Sequence, residues 1–351
     1  MRVALLHSSK TGMAGMIHRL LCQDVPVEED DEPPPDMLAE CDSDETILAV
    51  QNALAERHEV IPIESDEYAY ERLKAVKPQL VFNIAERVFG PNRESHIPSI
   101  CEILNLPYTG SDPLTLSLCL DKSRAKEILS YHQVPNARFW TVESVADLSS
   151  EMPLPVIIKP MFEGSSKGIK NDSVVYTPGD LQQRVQQVLS LYQQPVIIEQ
   201  FLSGREFTVG VLGNLPDLEV LPIVEIDHGQ LPASATPIYS YEAKWIWDVP
   251  EKPLAIFQCP ADIQEPLRLE IKDLVYKAYK ILRLKDWSRI DIRLDESGRA
   301  HLLEINPLPG ILPNPQDNSC LPKAARTAGY TYAQMIHRVV DAALARYGMA
   351  A

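Results

Sequence analysis

A chain of 351 residues can form two or three compact domains, and 45% hydrophobic against 23% charged residues is the balance of a globular protein in water. The net charge of −16 argues against nucleic acid or anionic membrane as a partner, because both are held by clustered Lys and Arg; small molecules are the partners expected. Six cysteines, at 22, 41, 101, 119, 259 and 320, form neither a CxxC pair nor a His-flanked set, so reduced and mostly buried thiols are expected.

Met1-Arg2 leads straight into Val-Ala-Leu-Leu, too short an apolar run for a signal peptide, and a cytoplasmic location is expected. The first six residues after Met1 read as a buried parallel strand, with Ser8 to Gly15 as the loop at its C-terminal end, where open α/β sheets bind ligands. The acidic, proline-rich run from Val27 to Asp36 suits neither helix nor central strand, and 22–43 reads as a mobile surface insertion. Asp44–Glu56 is helical by periodicity, His58–Ile63 a strand, Glu67–Val76 a helix and Gln79–Asn83 a strand. This rhythm implies a small parallel sheet. A helix over Glu94–Leu104, a short strand at Pro107–Gly110 and a helical region over Asp112–Ser130 follow.

Composition shifts near 131. Strands are expected at Leu154–Pro160, Val174–Tyr176, Pro195–Leu202, Glu206–Leu212 and Glu219–Ile226, with a glycine- and serine-rich loop over Met161–Asn171 and an amphipathic helix over Asp180–Leu191. A long loop runs through Tyr241–Trp247. Helices over Ala261–Leu282 and Tyr332–Tyr347 flank a hairpin.

That hairpin carries the most chemistry. In Ser288–Leu294, Arg289, Asp291 and Arg293 share one face while Ile290, Ile292 and Leu294 share the other. A turn at Asp295–Gly298 brings Glu304 and Asn306 to within a residue or two of Asp291 and Arg289. Two carboxylates and an amide oxygen suit Mg2+ or Mn2+, which keeps open positions for phosphate and water; the alternative is the solvated face of an ordinary hairpin. Lys159, at the end of an apolar strand, needs an anionic partner. A nucleotide phosphate would serve, with Lys122 and Lys244 as companions. Glu163–Gly168 offers backbone N–H groups and hydroxyls to an anion, although without the GxxxxGK[ST] pattern.

Taken together, the chain resembles the ATP-grasp ligases, and within them the D-alanine–D-alanine ligase family. The matching text is Pro107–Gly110, Asp121-Lys122, Ile158–Pro160 with Glu163–Gly168, Ile198–Leu202 with Gly204–Phe207, Tyr241–Lys244, Arg289–Asp291, and Glu304–Asn306 with Pro309-Gly310. The resemblance implies an α/β fold of three domains: a Rossmann-like N-terminal domain over 1–121, a central ATP-grasp subdomain over 122–212 and a C-terminal domain over 213–351. ATP would lie between the last two. It implies Lys122, Lys159 and Lys244 on the phosphates, Glu199, Gln200, Phe201 and Leu202 along the adenine, and Glu206 on the ribose. Asp291, Glu304 and Asn306 would hold two Mg2+ ions, with Arg289 and the Gly310 N–H stabilising the acyl phosphate. Ser165 and Ser166 would sit in a lid, Ser319 near the second substrate's carboxylate. Family members are often homodimers.

Departures from the family pattern fall at the first-substrate pocket. Ser8–Ala14 lacks the expected amine-binding glutamate, the His-Gly pair is replaced by Ala85-Glu86-Arg87, and Trp245 stands where the family has an aromatic hydroxyl. Glu86 and Trp245 are therefore candidate substrate-binding residues. The implied activity is an ADP-forming carboxylate–amine ligase with an acyl substrate other than D-alanine, joined to a small amino acid. A D-alanine–D-alanine ligase of peptidoglycan synthesis and a non-catalytic ATP-binding module are the alternatives.

Overall fold

The computed structural model describes residues 1–21, 34, 36–248 and 253–349, so most of the 22–43 segment lies outside the described residues. The chain opens with β1 (Arg2–His7), α1 (Lys10–Leu21), α2 (Asp44–Ala55), β2 (Glu59–Glu64), α3 (Ala69–Val76) and β3 (Leu80–Asn83). Their strands form a parallel sheet in the order β2-β1-β3, and Tyr108 adds a single bridge to Val81. Val3, Leu5, Leu80 and Phe82 pack into one core, and Ala4, Leu6 and Val81 into another. Burial on both faces is why β1 and β3 read as unbroken apolar runs.

Ser8–Gly15 is not a loop: α1 begins at Lys10, because the Ser9 hydroxyl accepts the Gly12 N–H and starts the helix. Gly12 marks close packing rather than a turn. A Cβ there would lie 2.5 Å from the Glu64 carboxylate. The expected surface insertion also stops short of Asp36, since Asp36, Glu40 and Cys41 are buried.

Next come α4 (His96–Ile103), α5 (Pro113–Leu120) and α6 (Lys122–Tyr131). Asp121 separates the last two by leaving helical geometry and accepting the Ser123 and Arg124 N–H groups, so the single helical region expected here is a pair. An antiparallel sheet follows, built from β4 (Phe139–Val142), β5 (Val156–Pro160), β6 (Val174–Val175), α7 (Pro178–Tyr192) on its face and β7 (Val196–Gln200), in the order β4-β7-β5-β6. Strand β4 is too short for its alternation to be read.

The final sheet contains β8 (Glu206–Leu212), β9 (Glu219–Val220), β10 (Val224–Ile226) and β11 (Phe257–Gln258), backed by α8 (Glu265–Ile281), then β12 (Trp287–Leu294) and β13 (Ala300–Asn306). Its path is β11-β10-β8-β12-β13 with β9 on β8. Pro222 interrupts the strand expected over Glu219–Ile226, because it has no N–H for the ladder. The expected loop over Tyr241–Trp247 carries a short π-helical stretch from Ala243 to Trp247. Two helices, α9 (Cys320–Thr327) and α10 (Tyr332–Arg346), complete the chain. Helix α10 is capped by Thr331 and packs on α2 through Met335, Ile336, Val339 and Val340. Among the described residues no helix is long and apolar enough to cross a membrane, and Cys41, Cys101, Cys119, Cys259 and Cys320 are free thiols.

Candidate functional site

The two antiparallel sheets enclose a cavity whose inner end is apolar, lined by Ile157, Phe201, Leu202, Ile226, Ile238 and Phe257. Gln200 lies at its edge. Alternation on β8 sends Phe207 and Val209 into the core and brings Glu206 to the cavity wall. Arg293 Nη1 and His228 Nε2 meet the Glu206 carboxylate at 2.9 and 3.0 Å. Burial would raise its pKa, but the His228 hydrogen bond and the Arg293 charge outweigh it and hold the group ionised.

Lys159, the last polar residue of β5, donates to Glu199 on the neighbouring strand at 2.7 Å. Lys126, one helical turn beyond Lys122, approaches the other Glu199 oxygen at 3.2 Å. Glu199 is 1% exposed, so its carboxylate serves as the counter-ion of two buried lysines rather than as a free adenine contact. Burial lowers the Lys126 pKa, with the nearby Lys159 charge in the same direction, while Glu199 opposes. The i,i+4 spacing puts Lys126 on the same helix face as Lys122, but nothing local links it to Glu199.

The hairpin register places Arg289 opposite Asn306 and Asp291 opposite Glu304, with a bulge after Asp291. The bulge turns the strand where the paired carboxylates face the cavity. Asp291 accepts from Thr208 Oγ1 at 2.6 Å, from Asn306 Nδ2 at 3.1 Å, and from Arg289 through Nε and Nη2, both at 3.1 Å. Lys122 Nζ meets Glu304 at 2.8 Å and also donates to the Glu163 carbonyl. Burial acts to raise the Glu304 pKa, but Lys122, Lys159 and Arg289 together hold it below the usual carboxylate range. Lys244 reaches the same cavity from the π-helical stretch, its Nζ lying 5.2 Å from the Trp245 ring centre. Burial and the Arg289 charge lower its pKa.

Ser165 and Ser166 adopt left-handed backbone angles, φ 50° and 62°, at the crest of the loop between β5 and β6. Ser166 Oγ donates to the Tyr239 carbonyl at 2.8 Å, and Trp245 Nε1 donates to the Ser165 carbonyl at 3.2 Å. Gly310 lines the cavity. Ser319 Oγ donates to its carbonyl at 3.3 Å and accepts the Leu312 N–H at 3.2 Å, closing the loop that precedes α9. Glu86 lines the cavity at the Arg289 end without an ion-pair partner among the described residues. Burial, then the Glu40 and Glu94 charges, raise its pKa. Sixteen of the eighteen site residues expected from the sequence line this cavity; Asn306 lines the smaller cavity beside it, and Lys122 is joined to it through Glu304. Arg293, His228 and Lys126 complete the site.

Residues 126–341 match the family model described as D-ala D-ala ligase C-terminus, which covers more than half of the chain. The chain belongs to the D-alanine–D-alanine ligase family. Within this ligase family it is 34% identical over 245 residues to the D-alanine–D-alanine ligase of Bordetella petrii, covering 69% of each chain. It is 32% identical to that of Mannheimia succiniciproducens, covering 85% of this chain and 90% of the relative. The uncharacterized protein y4sG of Sinorhizobium fredii is 33% identical over 87% of this chain and 88% of its own length. In fold it matches the ATP complex of the Bacillus anthracis D-alanine–D-alanine ligase, with TM-score 0.68 at 18% identity over 99% of both chains.

Proposed function

We propose that this protein is an ATP-dependent, ADP-forming carboxylate–amine ligase whose acyl substrate is an ammonium-bearing acid other than D-alanine. The observation that carries the reading is the convergence of Lys122, Lys159 and Lys244 on a cavity that also contains the cross-strand pair Asp291 and Glu304. Its apolar end suits a purine. Glu206, held ionised by Arg293 and His228, would accept from the ribose hydroxyls. The donor set of Asp291, Glu304 and Asn306 fits Mg2+, two ions in this reading, because all three offer hard oxygen, and the Lys122 and Arg289 charges now on the two acids stand where a metal's charge would replace them. Bound there, the metal would offset charge as the terminal phosphoryl group passes to the substrate carboxylate.

The chain's own groups then have separate tasks. Lys122 and Lys159 would leave Glu304 and Glu199 for phosphate oxygens, and Arg289, released from Asp291, would meet the acyl oxygens together with the Gly310 N–H. Ser165 and Ser166 would close the water-excluding loop, and Ser319 would orient the incoming amino acid's carboxylate.

Two features support a different acyl substrate. Ser8 and Ser9 are engaged by Asp42, Ser65 and Glu64, and Lys10, not an acid, faces Trp245 at 5.8 Å. Glu86, by contrast, has no ion-pair partner among the described residues and lines the same small cavity as Arg289, so an acid carrying an ammonium group would offset the cost of its burial as a carboxylate. The test is mass spectrometry of products from mixed acids and amines with ATP and Mg2+, repeated with Glu86→Gln. The reading requires an amide product whose acid-side KM rises about tenfold in the variant, the loss of about one charged hydrogen bond. The names of the relatives favour a second reading, D-alanine–D-alanine ligase; preferential formation of that dipeptide would overturn the first. A homodimer belongs to the same proposal, and sedimentation velocity reads it.

A further inference from the structure

A buried charge cluster outside the catalytic set ties the glycine–serine loop to the N-terminal part of the chain. Glu40, 7% exposed, accepts the Gly164 N–H at 2.7 Å with one oxygen. Its other oxygen accepts from Arg93 Nη2 at 2.7 Å and from Lys167 Nζ at 3.0 Å. Arg93, 2% exposed, also reaches Glu163 at 3.2 Å and donates to the Phe162 carbonyl at 2.7 Å. Lys167 pairs with Glu163 as well, so two carboxylates and two cations close a balanced ring.

The loop is shaped to receive Glu40. A Cβ on Gly164 would lie 2.4 Å from the Glu40 carboxylate, so only glycine lets the acid approach the backbone N–H. Four residues earlier, Asp36 repeats the arrangement at the loop's other end by accepting the Gly168 N–H at 3.0 Å. Burial would push the Glu40 pKa up, but Arg93 and Lys167 reverse this and keep it ionised. None of these contacts involves the expected metal or nucleotide groups, yet Glu40, Gly164 and Ser165 line the small cavity shared with Glu86, Arg289, Glu304 and Gly310.

We propose that Glu40 and Arg93 are positioning residues that latch the loop shut over the reacting carboxyl group, and that the latch protects the acyl phosphate from water. This rests on the ligase reading above. If the latch opens, water attacks the acyl carbon, the C–O bond to phosphate breaks, and the carboxylate, phosphate and a proton are released. The net reaction is then ATP hydrolysis with no amide formed.

The test compares wild type with Glu40→Gln, which keeps an acceptor for Gly164 but removes the charge, and with Gly164→Ala, which displaces Glu40 without changing charge. Amide hydrogen exchange over 161–171 is measured without nucleotide, and ADP released per amide formed is measured during turnover. The latch predicts exchange at least about tenfold faster in both variants, an opening free energy lowered by about one factor of ten in equilibrium, and an ADP-to-amide ratio rising well above one. Unchanged exchange in both variants overturns the latch, and faster exchange with a ratio still at one overturns its protective role. If Glu40→Gln does not fold, Gly164→Ala decides. A wild type that releases no ADP with any acid and amine would sink the ligase reading instead, while the exchange data still decide the latch.

Discussion

Replacing Glu199 by Gln leaves Lys126 and Lys159 facing each other in a buried site with their common counter-ion removed. Breaking a buried pair by removing one partner costs about 3–5 kcal/mol, because the remaining charge stays desolvated. The glutamine oxygen retains one hydrogen bond to Lys159, which returns about 1 kcal/mol. A net loss of about 2–4 kcal/mol is therefore expected. Urea unfolding followed by circular dichroism reads it as a lower midpoint. A second substitution, Lys126→Met in the Glu199→Gln background, removes the opposing cation and recovers at least half of the loss. The variant should also gain stability with rising pH: a lysine whose folded pKa is depressed binds fewer protons than its unfolded counterpart, so folding is favoured as the unfolded lysine deprotonates. An unfolding free energy within about 0.5 kcal/mol of wild type at neutral pH, as for an ordinary surface substitution, would refute the reasoning.

Asp42 is pushed up to about 8 from its ordinary 3.8 by burial, with a Ser8 N–H bond opposing and the Glu64 charge assisting. Its folded pKa lies above its unfolded one, so the folded state holds the extra proton between those values and loses stability as pH rises from about 4 to 8. Asp42→Asn should therefore raise the thermal midpoint at pH 8 and leave it nearly unchanged at pH 4; equal effects at both would contradict this. Glu206→Ala should raise the KM for ATP by about ten- to a hundredfold, the value of one or two charged hydrogen bonds, with kcat within about threefold. A loss confined to kcat would remove Glu206 from the ribose.

The parallel sheet was legible because β1 and β3 are buried on both faces, and the hairpin because Arg289, Asp291 and Arg293 alternate against Ile290, Ile292 and Leu294. The Asp295–Gly298 turn brings Glu304 and Asn306 to within a residue or two of Asp291 and Arg289, but the bulge that sets Asp291 opposite Glu304 rather than Leu303 was not legible. The helix starting at Lys10 was not legible, since Gly12 and Gly15 suggest a loop until the Glu64 side chain is in place beside Gly12. Lys126 and Glu40 were hidden for a different reason. Each acquires meaning from a residue distant in sequence, Glu199 for one and Arg93 with Lys167 for the other, and no local pattern encodes those pairings. Asp121 belongs between these cases: its helix-capping chemistry is local, but no glycine or proline stands beside it to mark the break.

Calorimetric titration of ATP into wild type and Asp291→Asn, each with and without Mg2+, tests the metal-bearing hairpin most directly. Mg2+ should tighten ATP binding to the wild type by at least about tenfold, about 1.4 kcal/mol, and should leave the affinity of Asp291→Asn nearly unchanged while both bind metal-free ATP comparably. An Mg2+ effect of equal size in the two proteins would contradict the assignment of Asp291 and its partner Glu304 to the metal.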